Sequence, residues 1–131
     1  MNLLRVILAF TMLLWLSGCF DKRRSAERTI QEIGVQSLRK DAAQLYKNVF
    51  APAAPEFLNV GDSLWPETFR RLGAQQVGAY PDGFSLLLVK RGATESGLYI
   101  VPLHMEKVPP ETEHARFQRI VEGIYWYDFT R

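Results

Sequence analysis

The 131-residue sequence predicts an α+β domain. Its expected parts are a long N-terminal helix, a second short helix, a small antiparallel sheet of about four strands, and a further helix before the last strand. Two observations carry this prediction. Apolar side chains recur at helical spacing over residues 25–49, which is typical of a helix with one buried face. Short apolar segments separated by turn sequences follow at 76–103, which is typical of antiparallel hairpins.

The first helix, predicted over 25–49, has one continuous apolar stripe. Its members are Ile30, Ile33, Leu38, Ala42, Leu45 and Val49. Charged and amide residues, Arg39 among them, fill the opposite side, and Gly34 in mid-helix costs about 1 kcal/mol relative to alanine. We expect the stripe to pack on the protein's own sheet, and packing on a helix of a partner is the alternative.

The second helix is predicted to be short. Prolines in the segment 51–55 end the first helix, because proline removes a backbone donor and restrains the residue before it. Trp65, Phe69 and Leu72 then fall at i, i+4 and i+7. Gly73 stands where a helix commonly ends.

Strands are predicted at 76–80, 84–90 and 98–103, with turns at 81–83 and 92–97 between them. Short connections of this kind favour antiparallel pairing. The second strand is apolar on both faces, which indicates a central position in the sheet.

The end of the chain has two interpretations. Four apolar residues repeat at helical spacing and predict a helix before the last strand: Phe117, Ile120, Val121 and Ile124. The alternative is a strand over 117–121 that turns at Glu122-Gly123. In either case residues 125–130 form the closing strand.

Composition excludes some classes of function. The chain has 16 Lys and Arg against 14 Asp and Glu, and this near-neutral balance argues against a nucleic-acid partner. Cys19 is the single cysteine, so a disulfide within one chain is impossible.

That cysteine closes a distinctive N-terminal segment. Arg5 precedes an apolar run over 6–16 that is too short to span a bilayer and has the length of a signal peptide. The run ends in Leu16-Ser17-Gly18-Cys19, which resembles the lipobox of bacterial lipoproteins. The resemblance implies cleavage between Gly18 and Cys19 and attachment of diacylglycerol and a further acyl chain such as palmitate to Cys19.

The resemblance also divides the chain and suggests its location. Residues 1–18 become a cleaved signal peptide, 19–25 a lipidated tether, and 26–131 a single α+β domain facing the periplasm. In enterobacterial lipoproteins an aspartate directly after the cysteine favours the inner membrane, whereas Phe20 holds that place here and Asp21 follows it. The outer membrane is therefore favoured.

One tetrapeptide resembles a catalytic motif. Gly61-Asp62-Ser63-Leu64 is similar to the nucleophile segment of the GDSL esterases and lipases. That family also has a Gly-x-Asn-Asp segment and a late Asp-x-x-His, but this chain contains no Asn-Asp pair, and Glu111-x-x-His114 is the nearest match to the second. Because an unactivated serine is a poor nucleophile, we predict no catalytic residue. Asp62 or Ser63 would instead cap the second helix.

Metal and cofactor sites are not expected. His104 and His114 are separated by ten positions without a cysteine as co-ligand, and both are predicted to lie on the surface.

The densest aromatic cluster lies in the closing strand. Trp126 shares one face with Ile124 and is predicted to be core. Tyr125, Tyr127 and Phe129 share the other face, which is predicted to be partly exposed and is our candidate partner surface, for a protein or for a sugar such as peptidoglycan. The alternative is that these rings are ordinary core.

The sequence thus predicts a lipid-anchored envelope protein that is not an enzyme and acts as a binding or accessory module with a protein partner. An immunity-type inhibitor of a toxin delivered to the periplasm is one alternative. A small GDSL-like esterase is the other.

Overall fold

The computed structural model describes residues 21–50, 57–106, 108–109 and 111–131. Within them the chain forms helices α1 (21–33), α2 (Val35–Phe50) and α3 (Glu67–Arg71), with a short 3-10 turn at Asp62–Leu64. The strands are β1 (Leu58–Asn59), β2 (Gln76–Tyr80), β3 (Gly83–Arg91), β4 (Thr94–Ile100), β5 (Ala115–Val121) and β6 (Ile124–Thr130). The predicted α+β class is confirmed, but the strand count of about four is wrong.

The strands form one six-stranded sheet in the order β1-β2-β3-β4-β6-β5, and every neighbouring pair is antiparallel. Strand β3 lies inside the sheet, as its apolar sequence predicts. Because β6 lies between β4 and β5, the connection 101–114 from β4 to β5 joins two strands that are not neighbours in the sheet.

All three helices cover one face of this sheet. Ile30 of α1, Leu38 and Leu45 of α2, and Phe69 of α3 are buried in a single cluster with the sheet. The sheet contributes Val77, Ala79, Phe84, Leu86, Leu98, Ile100, Ile124 and Trp126. The predicted packing of the helical stripe on the protein's own sheet is therefore confirmed.

The predicted single N-terminal helix is wrong at Gly34. This glycine has a φ of +92°, and its amide donates to the carbonyl of Ile30 at 2.8 Å, so α1 ends there and α2 begins at Val35. The left-handed conformation costs glycine little, and the apolar pattern cannot reveal the break because both helices pack on the same face.

The predicted helix before the last strand is also wrong, and the alternative, a strand, is correct. Strand β5 has a bulge between Arg119 and Val121, and this irregularity turns both Ile120 and Val121 toward the helix-covered face. A strand with one extra residue thereby reproduces helical spacing.

Other boundaries differ from prediction for local reasons. Pro66 holds the N-cap position of α3, and no side-chain hydrogen bond caps either α3 or the 3-10 turn, so the predicted cap by Asp62 or Ser63 is wrong.

Strand β4 begins at Thr94, four positions before the predicted start, because it runs through Gly97. A Cβ there would lie 1.8 Å from the carbonyl oxygen of Leu86, so the strand requires glycine at this position. The sequence indicates a turn instead, because glycine is a common turn residue.

Candidate binding groove

The sheet face opposite the helices is covered by aromatic rings. Tyr99, Tyr125 and Tyr127 form a second buried cluster with Val101, separate from the helix-covered core. Partly buried rings pack against it, namely Tyr80, Phe117 and Phe129. Tyrosine is suited to such a place, because its ring is apolar while its hydroxyl can meet a polar partner.

The rings touch one another in a row across the sheet. Centroid distances are 5.1 Å for Phe57 and Tyr80, 6.1 Å for Tyr80 and Tyr99, 5.5 Å for Tyr99 and Phe117, and 6.5 Å for Phe117 and Tyr127. The interplanar angles run from 45° to 79°. Neighbouring rings of this row are therefore in tilted or edge contact rather than in a parallel stack.

The rings line a groove of about 630 Å³, which we call the aromatic groove. Such a volume is typical of a ligand site. Its aromatic lining consists of Phe57, Tyr80, Tyr99, Phe117, Tyr127 and Phe129. Gly78 and Ser85, paired on β2 and β3, leave space between the rings, and Pro109 and Thr112 of the connection 101–114 also line the groove.

Polar side chains line the same groove. The Tyr99 hydroxyl donates a hydrogen bond to Oδ1 of Asp82 at 2.6 Å. Glu95 Oε1 lies 3.7 Å from Lys90 Nζ and 3.7 Å from Arg131 Nη2. Both cations are more exposed than Glu95, so water and salt screen these pairs.

The tyrosines of the groove keep their protons more firmly than tyrosine in water does. Burial raises the pKa of Tyr99, and the Asp82 carboxylate raises it further. Burial also raises the pKa of Tyr127, and the nearby negative charge of Glu95 adds to the effect. For Tyr80, burial and the carboxylates of Glu95 and Asp82 raise the pKa, while a hydrogen bond with Ser85 opposes them. The phenols are thus neutral donors at physiological pH.

A buried arginine holds the start of the connection 101–114. Arg39 of α2 is 6% exposed, and its guanidinium donates to three carbonyls, those of Val101 at 2.9 Å, Met105 at 3.0 Å and Pro102 at 3.2 Å. Gly123 makes room for it, since a Cβ there would lie 2.3 Å from Arg39 Nε. The prediction that Arg39 lies on the exposed side of its helix is therefore wrong. Helical periodicity gave no sign of it, because the partners are backbone carbonyls 62 or more positions away.

The three predicted partner-surface residues have different surroundings. Tyr127 and Phe129 line the groove, whereas Tyr125 packs in the buried cluster outside it. Tyr125 and Tyr127 are each 8% exposed, so the expectation of partial exposure is wrong for both and correct for Phe129. Trp126 is 4% exposed on the opposite face, in the core as predicted. The alternation along β6 was readable from sequence, but the rings of β2, β4 and β5 become its neighbours only through the strand order.

Other sequence-predicted residues lie apart from the groove or outside the described part. Gly18 and Cys19 lie outside the described residues. Ser63 is exposed on the 3-10 turn, and His104 and His114 are exposed. Among the described residues, no three His, Cys, Asp or Glu side chains cluster as metal ligands would. Residues 21–25, assigned to the tether, are helical.

No family model, curated protein or solved structure matches this chain. Across the described ranges, the helices fall short of the length and apolar character needed to cross a bilayer.

Proposed function

We propose that this protein is a bacterial envelope lipoprotein, anchored through lipid on Cys19 and facing the periplasm, that binds a partner in the aromatic groove without catalysing a reaction. The observation that carries the binding role is the aromatic groove itself. Within the described part of the chain, this groove has six rings, two carboxylates and no helix packed on it, so it offers apolar area together with polar groups that can fix orientation. Aromatic side chains are also the residues that contribute most to interfaces.

The anchor is supported by the sequence of residues 16–19 and by the basic residues close behind it. Lys22 and Arg24 are exposed at the start of α1, a few positions after Cys19. Basic side chains near anionic lipid contribute on the order of 1 kcal/mol each. The outer membrane is the favoured location, since Phe20 rather than an aspartate follows the cysteine.

A non-catalytic role is supported by the surroundings of the candidate nucleophile. Ser63 is exposed on a turn that no side-chain hydrogen bond caps, and it is not among the groove residues. The groove tyrosines Tyr99 and Tyr127 have raised pKa values, which disfavours their ionised, nucleophilic form.

Metabolic labelling tests the anchor. Cells producing the full chain are grown with a palmitate analogue, and the wild type is compared with Cys19→Ser. Since Cys19 is the only thiol, label is expected in the wild type alone. Equal label in the variant would contradict the lipoprotein assignment.

Site-specific photo-cross-linking tests the binding role. A photoreactive residue replaces Gln76, an exposed groove residue, and in a matched control it replaces Gln44, an exposed residue of α2. We expect discrete adducts in the envelope from position 76 and none from position 44. Adducts from position 44 alone would place the partner on the helices and refute the groove. The mass of the partner separates an envelope component from a delivered toxin.

A further inference from the structure

The aromatic groove has the chemistry of a site for an organic cation. The face of an aromatic ring is electron-rich, and a cation within about 6 Å of a ring centroid is attracted to it. The centroids of Tyr80 and Tyr99 are 6.1 Å apart, and those of Tyr99 and Phe117 are 5.5 Å apart. One cation seated in the groove above two neighbouring rings of this row would therefore lie within reach of both.

The charges in the groove favour a cation as well. Of the groove residues that the structure describes, Asp82 and Glu95 are acidic, while Arg131 is basic. The Arg131 side chain is 72% exposed against 21% for Glu95, so the carboxylate lies deeper than its counter-charge. The carboxylates of Asp82 and Glu95 both raise the pKa of Tyr80, and Glu95 also raises the pKa of Tyr127. The negative field thus extends over the rings.

We propose that the aromatic groove binds an alkylated ammonium ion of the choline type, held over the faces of its ring row with the Glu95 carboxylate as its counter-ion. An unalkylated ammonium is compact and strongly hydrated, and it requires acceptors for three N–H groups. An alkylated ammonium presents apolar surface, which fits a lining made mostly of rings. This inference rests on the proposed function, because it names the ligand class of the same groove.

The experiment measures ligand binding to the purified full chain in a detergent without choline. The probes are choline and its neutral isostere, 3,3-dimethylbutan-1-ol, which has the same shape without the charge. Binding is followed by calorimetry and by NMR of isotope-labelled tyrosine rings. We expect choline to bind on the order of tenfold more tightly than the isostere and to shift the tyrosine signals.

Three variants assign the charge to a residue. Glu95→Gln keeps the shape of the side chain and is expected to weaken choline binding several-fold while leaving the isostere unaffected. Arg131→Gln removes one of the two cations that pair with Glu95, the one that also lines the groove, and is expected to strengthen choline binding. Glu32→Gln is the matched control, because Glu32 also pairs with an exposed arginine, Arg71 at 3.5 Å, and lies outside the groove. Glu32→Gln is expected to leave choline binding unchanged.

Two results would overturn the proposal. One is equal affinity for choline and the isostere, which would make the groove an apolar site. The other is no tyrosine response to choline. Either result can coexist with cross-linking from position 76, so failure of the ligand class is distinguishable from failure of the binding role.

Discussion

The two faces of the sheet bury their side chains in different ways. The face under the helices is mainly aliphatic, and its side chains, such as Phe84 and Leu86, are fully buried. The opposite face is aromatic, and its buried tyrosines form one cluster with Val101, against which Met105 packs. The first arrangement needs only complementary shape. The second keeps hydroxyls and carboxylates at a groove, so it can serve both stability and recognition.

The largest expected effect tests the helix-covered face. Trp126→Ala removes a buried side chain from the core and should lower the free energy of unfolding by about 3 to 5 kcal/mol. Denaturant melts measure the loss of stability, and Phe129→Ala, on the groove face of the same strand, is the matched variant. Because Phe129 is partly exposed, its truncation should cost about 1 kcal/mol. Equal losses would mean that the two faces do not differ in their share of stability.

The next effect tests the link between the faces. Arg39→Met removes the donor to three carbonyls, two of them in buried hydrogen bonds, and should cost about 1 to 3 kcal/mol. Hydrogen exchange should rise in residues 101–106, which the guanidinium holds. Arg39→Lys is the matched control, since a single ammonium cannot reproduce the planar fork, and an intermediate loss is expected. Unchanged exchange in 101–106 would show that another contact holds this segment.

A smaller effect tests the hydroxyls of the groove face. Tyr99→Phe removes the hydrogen bond to Asp82 and should cost about 1 kcal/mol at neutral pH. Because the folded-state pKa of Tyr99 is raised, the unfolded chain loses this proton first, and the wild type loses stability as the pH rises above about 10. The Phe variant lacks that loss, so the deficit should narrow between about pH 10 and 11 in urea melts. A constant deficit would contradict the buried, proton-retaining state of Tyr99.

The smallest effect lies outside both faces. Ser63 is exposed and caps no helix, so Ser63→Ala should change the free energy of unfolding by less than about 0.5 kcal/mol. The purified protein should show no turnover of short-chain esters that depends on this serine. Serine-dependent turnover would restore the esterase alternative.

The sequence predicted the elements whose periodicity is clean. The stripe from Ile30 to Val49 identified the buried face of the helices, and the turn at 81–83 identified the hairpin of β2 and β3. Prediction failed where a local irregularity changed the period, as at the bulge in β5 and at Gly97 inside β4. The spacing of residues along one segment does not reveal such irregularities, because they depend on contacts with neighbouring strands.

The candidate groove was predictable only in part. Alternation along β6 placed Tyr127 and Phe129 on one face, opposite Trp126. Tyr99 and Phe117 join them because β6 lies between β4 and β5, and Tyr80 joins them because β2 and β4 lie on either side of β3. Local spacing along the sequence does not reveal this strand order. The burial of Arg39 likewise depends on carbonyls of a distant segment.

The most direct test of the account measures stability and partner contact in the same two variants. Leu45 of α2 is a core residue, and Phe129 lines the groove. Each is replaced by alanine in a chain that carries the photoreactive residue at position 76. Leu45→Ala is expected to lose about 2 to 5 kcal/mol of unfolding free energy while its folded fraction still forms the adduct. Phe129→Ala should lose about 1 kcal/mol and most of the adduct. A full adduct yield from Phe129→Ala, together with a lost adduct in folded Leu45→Ala, would contradict the assignment of recognition to the aromatic groove.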